Sequence, residues 1–310
     1  MTGDVARAEA ILRAACGDRV RTAFSTAPLT TFRIGGPAAL YLEPESEGDL
    51  AIAGEAIREA QVPFVVIGKG SNLLVSDRGF DGLVLRLGRA FRWAHRDGDG
   101  LSAGAAMPLP ALAGAALSHG LAGLEWGAAI PASFGGAVRM NAGAHGGALA
   151  DVLETIGLFD LMLGEPVTIE AKDAGFGYRR SQLPAGVVVV RAHVRLEVGD
   201  PQAIRARMDE VREWRRRHQP LAEPNCGSVF KNPPGAFAAR LVEEAGLKGA
   251  TMGGATVSRK HANFIVTSEG ARAADVVELI RTVQERVQQR SAVRLEPEVH
   301  LVGEFDRVPH

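Results

Sequence analysis

Ile130-Pro131-Ala132-Ser133-Phe134-Gly135-Gly136-Ala137-Val138-Arg139-Met140-Asn141-Ala142-Gly143-Ala144-His145-Gly146-Gly147 is the stretch on which the rest of the chain turns. Six of its eighteen residues are glycine or proline and few are bulky and apolar, so it predicts a loop rather than a strong strand or a stable helix. Loops of this length without secondary structure are uncommon unless they bind something. Small side chains let the backbone approach a ligand, and successive free N–H groups can wrap an anion such as a pyrophosphate. Taken alone, the stretch reads equally well as a glycine-rich surface crossover.

Some sixty residues earlier lies a second stretch of the same chemistry. The apolar run Pro63–Ile67 predicts a buried strand, and it leads into Gly68-Lys69-Gly70-Ser71-Asn72-Leu73, a turn that can hold phosphate with backbone amides, a hydroxyl and one lysine. No G-x-x-x-x-G-K-[ST] string is present, and no G-x-G-x-x-G, which excludes the Walker loop and the Rossmann fingerprint. Two phosphate-type loops then argue for a bulky dinucleotide held by neither standard device.

The 310 residues are 46% hydrophobic and 23% charged, the profile of a globular protein with two or three cores. A net charge of −1 gives no reason to expect nucleic-acid binding. Cys16 and Cys226 are too few for a disulfide framework, and no histidine grouping suits a metal. No signal peptide and no long apolar run is visible, so the expectation is a cytoplasmic protein with no membrane association and no obligate protein partner.

Taken in order, Asp4 should cap a helix over Val5–Ala15, and Ser46 with Asp49 a second that leads to the Pro63–Ile67 strand. Leu83–Leu87 and Phe91–His95 read as short strands, Leu109–Leu117 as a helix, and Val152–Leu163 and Val187–Leu196 as longer strands. Between the last two, Phe176–Ser181 should be a loop. Asp200-Pro201 opens a helix to about Arg217, and the composition changes there from glycine-rich to helical. A helix near Phe237–Ala245, a strand His261–Thr267, a helix from Ala273 to about Gln289 and a strand Val293–Val302 complete the chain. The expected organisation is α+β, with subdomains at 1–80 and 81–199 and a third domain at 200–310.

Several residues could carry chemistry. Alternation in the last strand sets Arg294, Glu296, Glu298 and His300 on one face, which is either a solvated surface or a source of one functional carboxylate. Ser228 lacks a Gly-x-Ser-x-Gly elbow, so it is an ordinary turn serine, a ligand contact or a proton donor. Arg179 beside Tyr178 could pair with a carboxylate in bidentate fashion. The basic run Arg215–His218 complements a helix C-terminus and is also a candidate phosphate site.

In this order, Thr31-Phe32-Arg33-Ile34-Gly35-Gly36, Gly68-x-Gly-Ser-Asn-Leu-Leu74, Ile130-Pro131 through Gly136 with Met140–Ala144, Tyr178-Arg179, Gly227-Ser-x-Phe-Lys-Asn-Pro233 and Leu295-Glu-Pro-Glu-Val299 resemble the UDP-N-acetylenolpyruvoylglucosamine reductases, the MurB family of peptidoglycan precursor synthesis. The resemblance implies a two-subdomain FAD-binding fold of the vanillyl-alcohol oxidase type plus a C-terminal substrate domain. It implies noncovalent FAD, NADPH as hydride donor and a nucleotide-sugar substrate. Arg33, Gly68, Lys69, Gly70, Ser71, Asn72, Leu73, Ile130, Ser133, Gly135, Gly136, Asn141 and Gly143 are the cofactor residues it implies. Arg179, Ser228 and Glu298 would be catalytic, with Ser228 the proton donor. Tyr178, Arg215, His218, Lys231 and Asn232 are expected at the substrate. Relatives commonly have glycine at Ala129 and Ala132 and tyrosine at His145, and the short span from Leu196 to Arg212 matches the subgroup without a tyrosine-bearing loop. The rival readings are another flavoprotein of the same fold and a nonenzymatic nucleotide-sugar sensor.

Overall fold

The computed structural model describes residues 3–306 and residue 308. Packing divides the chain into two units, one comprising Met1–Thr22, Leu40–Lys69 and Asp81–Arg215, the other Ala23–Ala39, Gly70–Phe80 and Arg216–His310. This is not the sequential division at 80 and 199. The reason lies in side chains that pack far from their sequence neighbours, as the three cores show.

In the first unit, α1 (Val5–Cys16) is capped by Asp4, whose Oδ1 accepts from the Arg7 N–H at 2.9 Å. The helix α2 (Glu47–Ala60) is capped in the same way by Ser46, which accepts from the Asp49 N–H at 3.0 Å. A five-stranded antiparallel sheet runs in the order Glu165–Glu170, Leu153–Asp160, Val187–Arg195, Gly100–Gly104, Ala94–Asp97. Its central strand begins with four valines because both faces are covered. Val187 and Val189 enter one core with Leu101, Phe134 and Ile156, while Val188 and Val190 enter another with Leu12, Leu50 and Phe159. The first core is closed by α3 (Leu109–Ser118), α4 (Phe134–Arg139) and two residues of α5 (Pro201–His218). Those two, Ile204 and Met208, are almost fully buried, and each such burial stabilises by roughly 1.5–3 kcal/mol. Their packing sets the start of α5 in the first unit, beyond the expected boundary at 199.

The second unit is built on α6 (Ala238–Glu244) and α7 (Ala273–Ser291) with a three-stranded sheet of Thr251–Met252, Ala255–Val257 and Ile265–Thr267. Phe32 and Leu74, from early in the chain, lie in its core with Val229, Val276, Ile280 and Leu295. Asp77 accepts from the backbone N–H groups of Ala273 and Ala274 at 2.7 and 3.0 Å, satisfying two donors at the start of α7. The strand His300–Val302 pairs in parallel with Leu73–Val75.

Five expectations are corrected. The stretch 130–147 contains α4 and a two-stranded hairpin, Gly143–Ala144 with Gly147–Ala148. Ser133 caps α4, and Gly135 lets it approach so closely that a Cβ there would lie 2.7 Å from that of Ala105. Leu153–Asp160 stops short of Leu163 because the Asp160 carboxylate takes the N–H groups of Met162 and Leu163 at 2.7 and 3.0 Å and turns the chain. Phe91–His95 is a 3-10 turn over Arg89–Phe91 followed by the strand Ala94–Asp97. Only Ile265–Thr267 of the expected 261–267 strand forms, since the Phe264 N–H turns back to the His261 carbonyl at 3.0 Å. Of Val293–Val302 only the last three residues form a ladder, although Leu295 and Val299 keep their inward positions.

The His261 imidazole packs edge-on against Phe264 at 4.7 Å, and its Nδ1 accepts from the Asn263 N–H at 3.3 Å, which requires the neutral ring. Burial, then the charges of Lys248 and His218, pushes its pKa below the ordinary value of 6.5. Above that value both folded and unfolded chains carry it neutral. As the pH falls below 6.5 the unfolded chain gains the proton first, so stability is lost in the acid direction. The melting temperature should fall between neutral pH and about pH 5, and more steeply than in His261→Asn. Parallel profiles for the two proteins would remove His261 as a cause.

Candidate active site

The two glycine-bearing segments of the first unit meet at Gly68 and Ser133. A Cβ on Gly68 would lie 2.1 Å from the Ser133 Oγ, which itself accepts from the Gly136 N–H at 3.3 Å. The next residue, Lys69, is surrounded by its own sign. Partial desolvation first, and then the charges of Arg86 and Arg92, push its ammonium below the usual range. Backbone brought to contact distance, with three like-charged cations beside it, suits a bound polyanion. The loop continues into the second unit, where Gly70 has φ +61° and a Cβ would lie 2.0 Å from the Leu29 carbonyl oxygen. Its own carbonyl accepts from the Thr31 N–H at 3.1 Å.

A second cluster forms in the first unit around Arg179. The Gly177 and Arg180 backbones exchange hydrogen bonds at 3.0 and 3.2 Å, leaving Tyr178 and Arg179 at the tip of a tight turn. Arg179 takes φ +56°, a region that L-residues rarely occupy and that clusters at functional positions. Its Nη2 donates to the Gly143 carbonyl at 2.7 Å, and its guanidinium lies 5.1 Å from the Tyr178 ring centroid. Tyr178 is itself 53% exposed, so its ring is available to a ligand.

In the second unit, the segments bearing Ser228 and Glu298 are held side by side. The Glu298 N–H donates to the Val229 carbonyl at 2.7 Å, and the Lys231 N–H to the Glu296 carbonyl at 2.9 Å. Asn72 joins them, its Nδ2 donating to the Glu298 carbonyl at 3.1 Å and its carbonyl accepting from the His300 N–H at 3.0 Å. Beneath lies the buried Cys226, whose thiol is pushed far up by burial and then by the Glu298 charge. Ser228 follows Gly227, at φ +81° in a turn closed by the Asn225 side chain, which accepts from the Gly227 N–H at 2.9 Å.

Several expected site residues have side chains occupied within the protein. Lys231 Nζ lies 2.5 Å from Glu296 Oε1, and Asn232 Oδ1 accepts from the Ala238 N–H at the start of α6 at 3.0 Å. Asn141, buried at φ +42°, spends its amide on the Gly177 carbonyl and the Ala150 N–H. Gly135 serves helix packing, and Ile130 packs on the first core. Gly136 donates its N–H to Ser133 in the cradle, and Gly143 gives its carbonyl to Arg179. Arg33 is exposed at φ +59°, Ser71 and Leu73 are half-buried, and His218 is exposed on the last turn of α5. The Arg215 guanidinium is held below its usual range by desolvation. His145 stands at φ +52° with its ring edge-on to Trp214 at 4.9 Å, beside a cavity of about 250 Å³ lined by Trp126, Asp151 and Arg207 among others.

Sequence reasoning missed Asn263 and Arg139. Buried Asn263 accepts from the Phe230 N–H at 3.0 Å and donates to its carbonyl at 2.8 Å, fixing the backbone beyond Ser228. An asparagine inside the apolar run His261–Thr267 was the signal for it.

A family model described as an FAD binding domain matches residues 38–169, and one described as the C-terminal domain of UDP-N-acetylenolpyruvoylglucosamine reductase matches residues 219–302. The UDP-N-acetylenolpyruvoylglucosamine reductase of Heliobacterium modesticaldum is 46% identical over 277 residues, 89% of this chain and 88% of that protein. The chain belongs to the UDP-N-acetylenolpyruvoylglucosamine reductase family. The crystal structure of the family's Thermus caldophilus enzyme superposes with a TM-score of 0.78 at 40% identity, covering 90% of this chain and 97% of that one. The reductase of Anaeromyxobacter sp. is 46% identical over 280 residues, 90% of this chain and 87% of that protein. Physcomitrella patens BBE-like 1 shares the fold only, with a TM-score of 0.51 at 20% identity over 61% of this chain and 44% of that one.

The α+β fold with its FAD-binding domain therefore stands, and the Gly68–Ser133 cradle with its cations fits the pyrophosphate of that cofactor. Gly68→Ala would displace the Ser133 hydroxyl and fill the approach. The variant should hold FAD on the order of tenfold more weakly, about 1.4 kcal/mol, read as the flavin-to-protein absorbance ratio after gel filtration. Full retention would show that nothing approaches Gly68 closely.

Proposed function

We propose that this chain is an NADPH-dependent flavoenzyme that reduces the enolpyruvyl ether of UDP-N-acetylglucosamine enolpyruvate to a lactyl ether, giving UDP-N-acetylmuramate in the cytoplasm. The reading is supported by the relatives' names and by the Ser228 and Glu298 segments bonded side by side in the unit that the reductase C-terminal model matches. The Gly68–Ser133 cradle with Lys69 would hold FAD, which would supply the hydride chemistry that links NADPH to C3 of the enolpyruvyl double bond.

The chain's own residues deal with the charge and the proton. Hydride arriving at C3 leaves an electron pair that spreads from C2 onto the substrate carboxylate. A guanidinium with a fixed fork of donors is the best side chain to meet that carboxylate, and Arg179 has the role. Ser228 gives its hydroxyl proton to C2 and is reprotonated from solvent. Glu298, whose segment is bonded beside that of Ser228, shares in stabilising the intermediate. NADPH and one proton are consumed, the double bond is reduced and NADP⁺ leaves.

Tyr178, Arg215, His218, Lys231 and Asn232 are assigned to the nucleotide sugar. For Lys231 this means exchanging the Glu296 carboxylate for a diphosphate oxygen. The test is NADPH consumption that depends on the enolpyruvyl substrate, with a product two hydrogen atoms heavier. Consumption only with oxygen, or with a simple alcohol or sugar, would assign the chain to another flavoprotein activity.

A further inference from the structure

The turn that carries Arg179 is held down by polar side chains, among them Asn141, which the resemblance placed at the cofactor. Asn141 Nδ2 donates to the Gly177 carbonyl at 3.0 Å, immediately before Tyr178-Arg179, while its Oδ1 accepts from the Ala150 N–H at 2.9 Å. Ser181 Oγ donates to the Arg139 carbonyl at 2.7 Å on the other side of the turn. The Arg139 guanidinium, desolvated enough to sit below its usual range, donates to the carbonyls of Leu183, Pro184 and Val187 at 2.8–3.2 Å. Three polar side chains thus fasten residues 177–187 to residues 139–150, and Arg179 adds its own bond to the Gly143 carbonyl.

Among these, Asn141 is distinguished by its backbone as well. It is 8% exposed and adopts φ +42°, a conformation that asparagine tolerates better than most L-residues. A buried amide that uses both its ends on backbone groups fixes those groups relative to each other. Here one end lies on the Leu149–Asp151 turn that follows the glycine-rich segment and the other on the Arg179 turn.

We propose that Asn141 is a positioning residue for Arg179, setting the guanidinium for the substrate carboxylate through the Gly177 carbonyl. The inference rests on the reading of Arg179 as the carboxylate's partner, and it assigns the Asn141 side chain to the turn rather than to the cofactor. Arg179 alone touches substrate; Asn141 acts through it. A guanidinium displaced by about 1 Å loses bidentate geometry, so the effect belongs to the step in which charge reaches the carboxylate.

The test uses Asn141→Asp in the flavin-loaded enzyme near pH 8. The aspartate keeps the backbone conformation and the acceptor for Ala150, but sets a carboxylate oxygen against the Gly177 carbonyl. Under anaerobic conditions, flavin reduction by NADPH should stay within about twofold of wild type. Reoxidation at saturating enolpyruvyl substrate should slow about tenfold or more. In an Arg179→Ala background the same substitution should slow reoxidation by less than about twofold, because its effect passes through Arg179. A fully additive effect, equal slowing of both half-reactions, or wild-type reoxidation would each overturn the proposal.

A second readout needs no substrate. Amide hydrogen exchange of the peptide containing Gly177 and Arg180, whose N–H groups close the turn, should be about tenfold faster in Asn141→Asp. Unchanged exchange there would show that the turn holds without Asn141. If exchange rises while wild-type enzyme is not reoxidised by the enolpyruvyl substrate, the fastening stands and the substrate reading fails instead.

Discussion

Ser228→Ala leaves flavin reduction by NADPH at the wild-type rate and slows flavin reoxidation by the enolpyruvyl substrate about a hundredfold or more, the usual cost of removing a general acid. The asymmetry follows from where the proton is needed. Ser228 occupies the turn after Gly227, and the backbone beyond it is clamped by Asn263 and by the Glu298 N–H. Removing one hydroxyl disturbs neither clamp, so the fold and flavin content should persist. Rapid-mixing absorbance of the flavin band reads both half-reactions. Equal slowing of the two would remove Ser228 from proton donation.

Arg179→Ala is expected to slow reoxidation by about 10²–10³, the range found when one donor to a developing negative charge is deleted. Arg179→Lys should recover only part of that loss. A lysine retains the charge but offers a point donor where a planar fork faced the carboxylate, and it cannot match the bond to the Gly143 carbonyl in the same geometry. The position also has φ +56°, so neither replacement relieves the backbone, and the two variants differ in side-chain chemistry alone. Wild-type turnover in Arg179→Lys would show that charge suffices, and wild-type turnover in Arg179→Ala would remove the residue from the reaction.

What was legible in the sequence was whatever local chemistry decides. Asp4 and Ser46 cap their helices as expected, and Asp200 takes the Gln202 and Ala203 N–H groups at the start of α5, because a capping side chain needs only neighbours two or three residues away. The apolar repeat of α7 survives intact, with Val276, Ile280, Val283 and Val287 all buried. Gly68 was read as part of a phosphate-holding turn, and the structure sets it against Ser133, whose Oγ would lie 2.1 Å from a Cβ there.

What was hidden depends on distant partners. Helix α4 forms in a glycine-rich segment because Phe134 is buried and Gly135 fits against Ala105, a tertiary contact that overrides propensity. The strand Glu165–Glu170 went unread because it is an edge strand, exposed along nearly its whole length and interrupted by Pro166, so it carries little alternation. Phe32 and Leu74 join the core of α7, which no sequential boundary anticipates. Polar side chains were least legible. An asparagine in sequence does not say which carbonyl its amide will take, and Asn141, Asn232 and Asn263 all proved to bond backbone.

The measurement that bears most directly on the whole account is an anaerobic flavin spectrum of the purified protein, taken before and after NADPH and again after UDP-N-acetylglucosamine enolpyruvate. The account predicts a yellow protein, bleaching by NADPH, and return of the oxidised flavin bands on adding the enolpyruvyl substrate. A protein that bleaches but stays bleached with that substrate would contradict the proposed reaction while leaving the flavin fold in place.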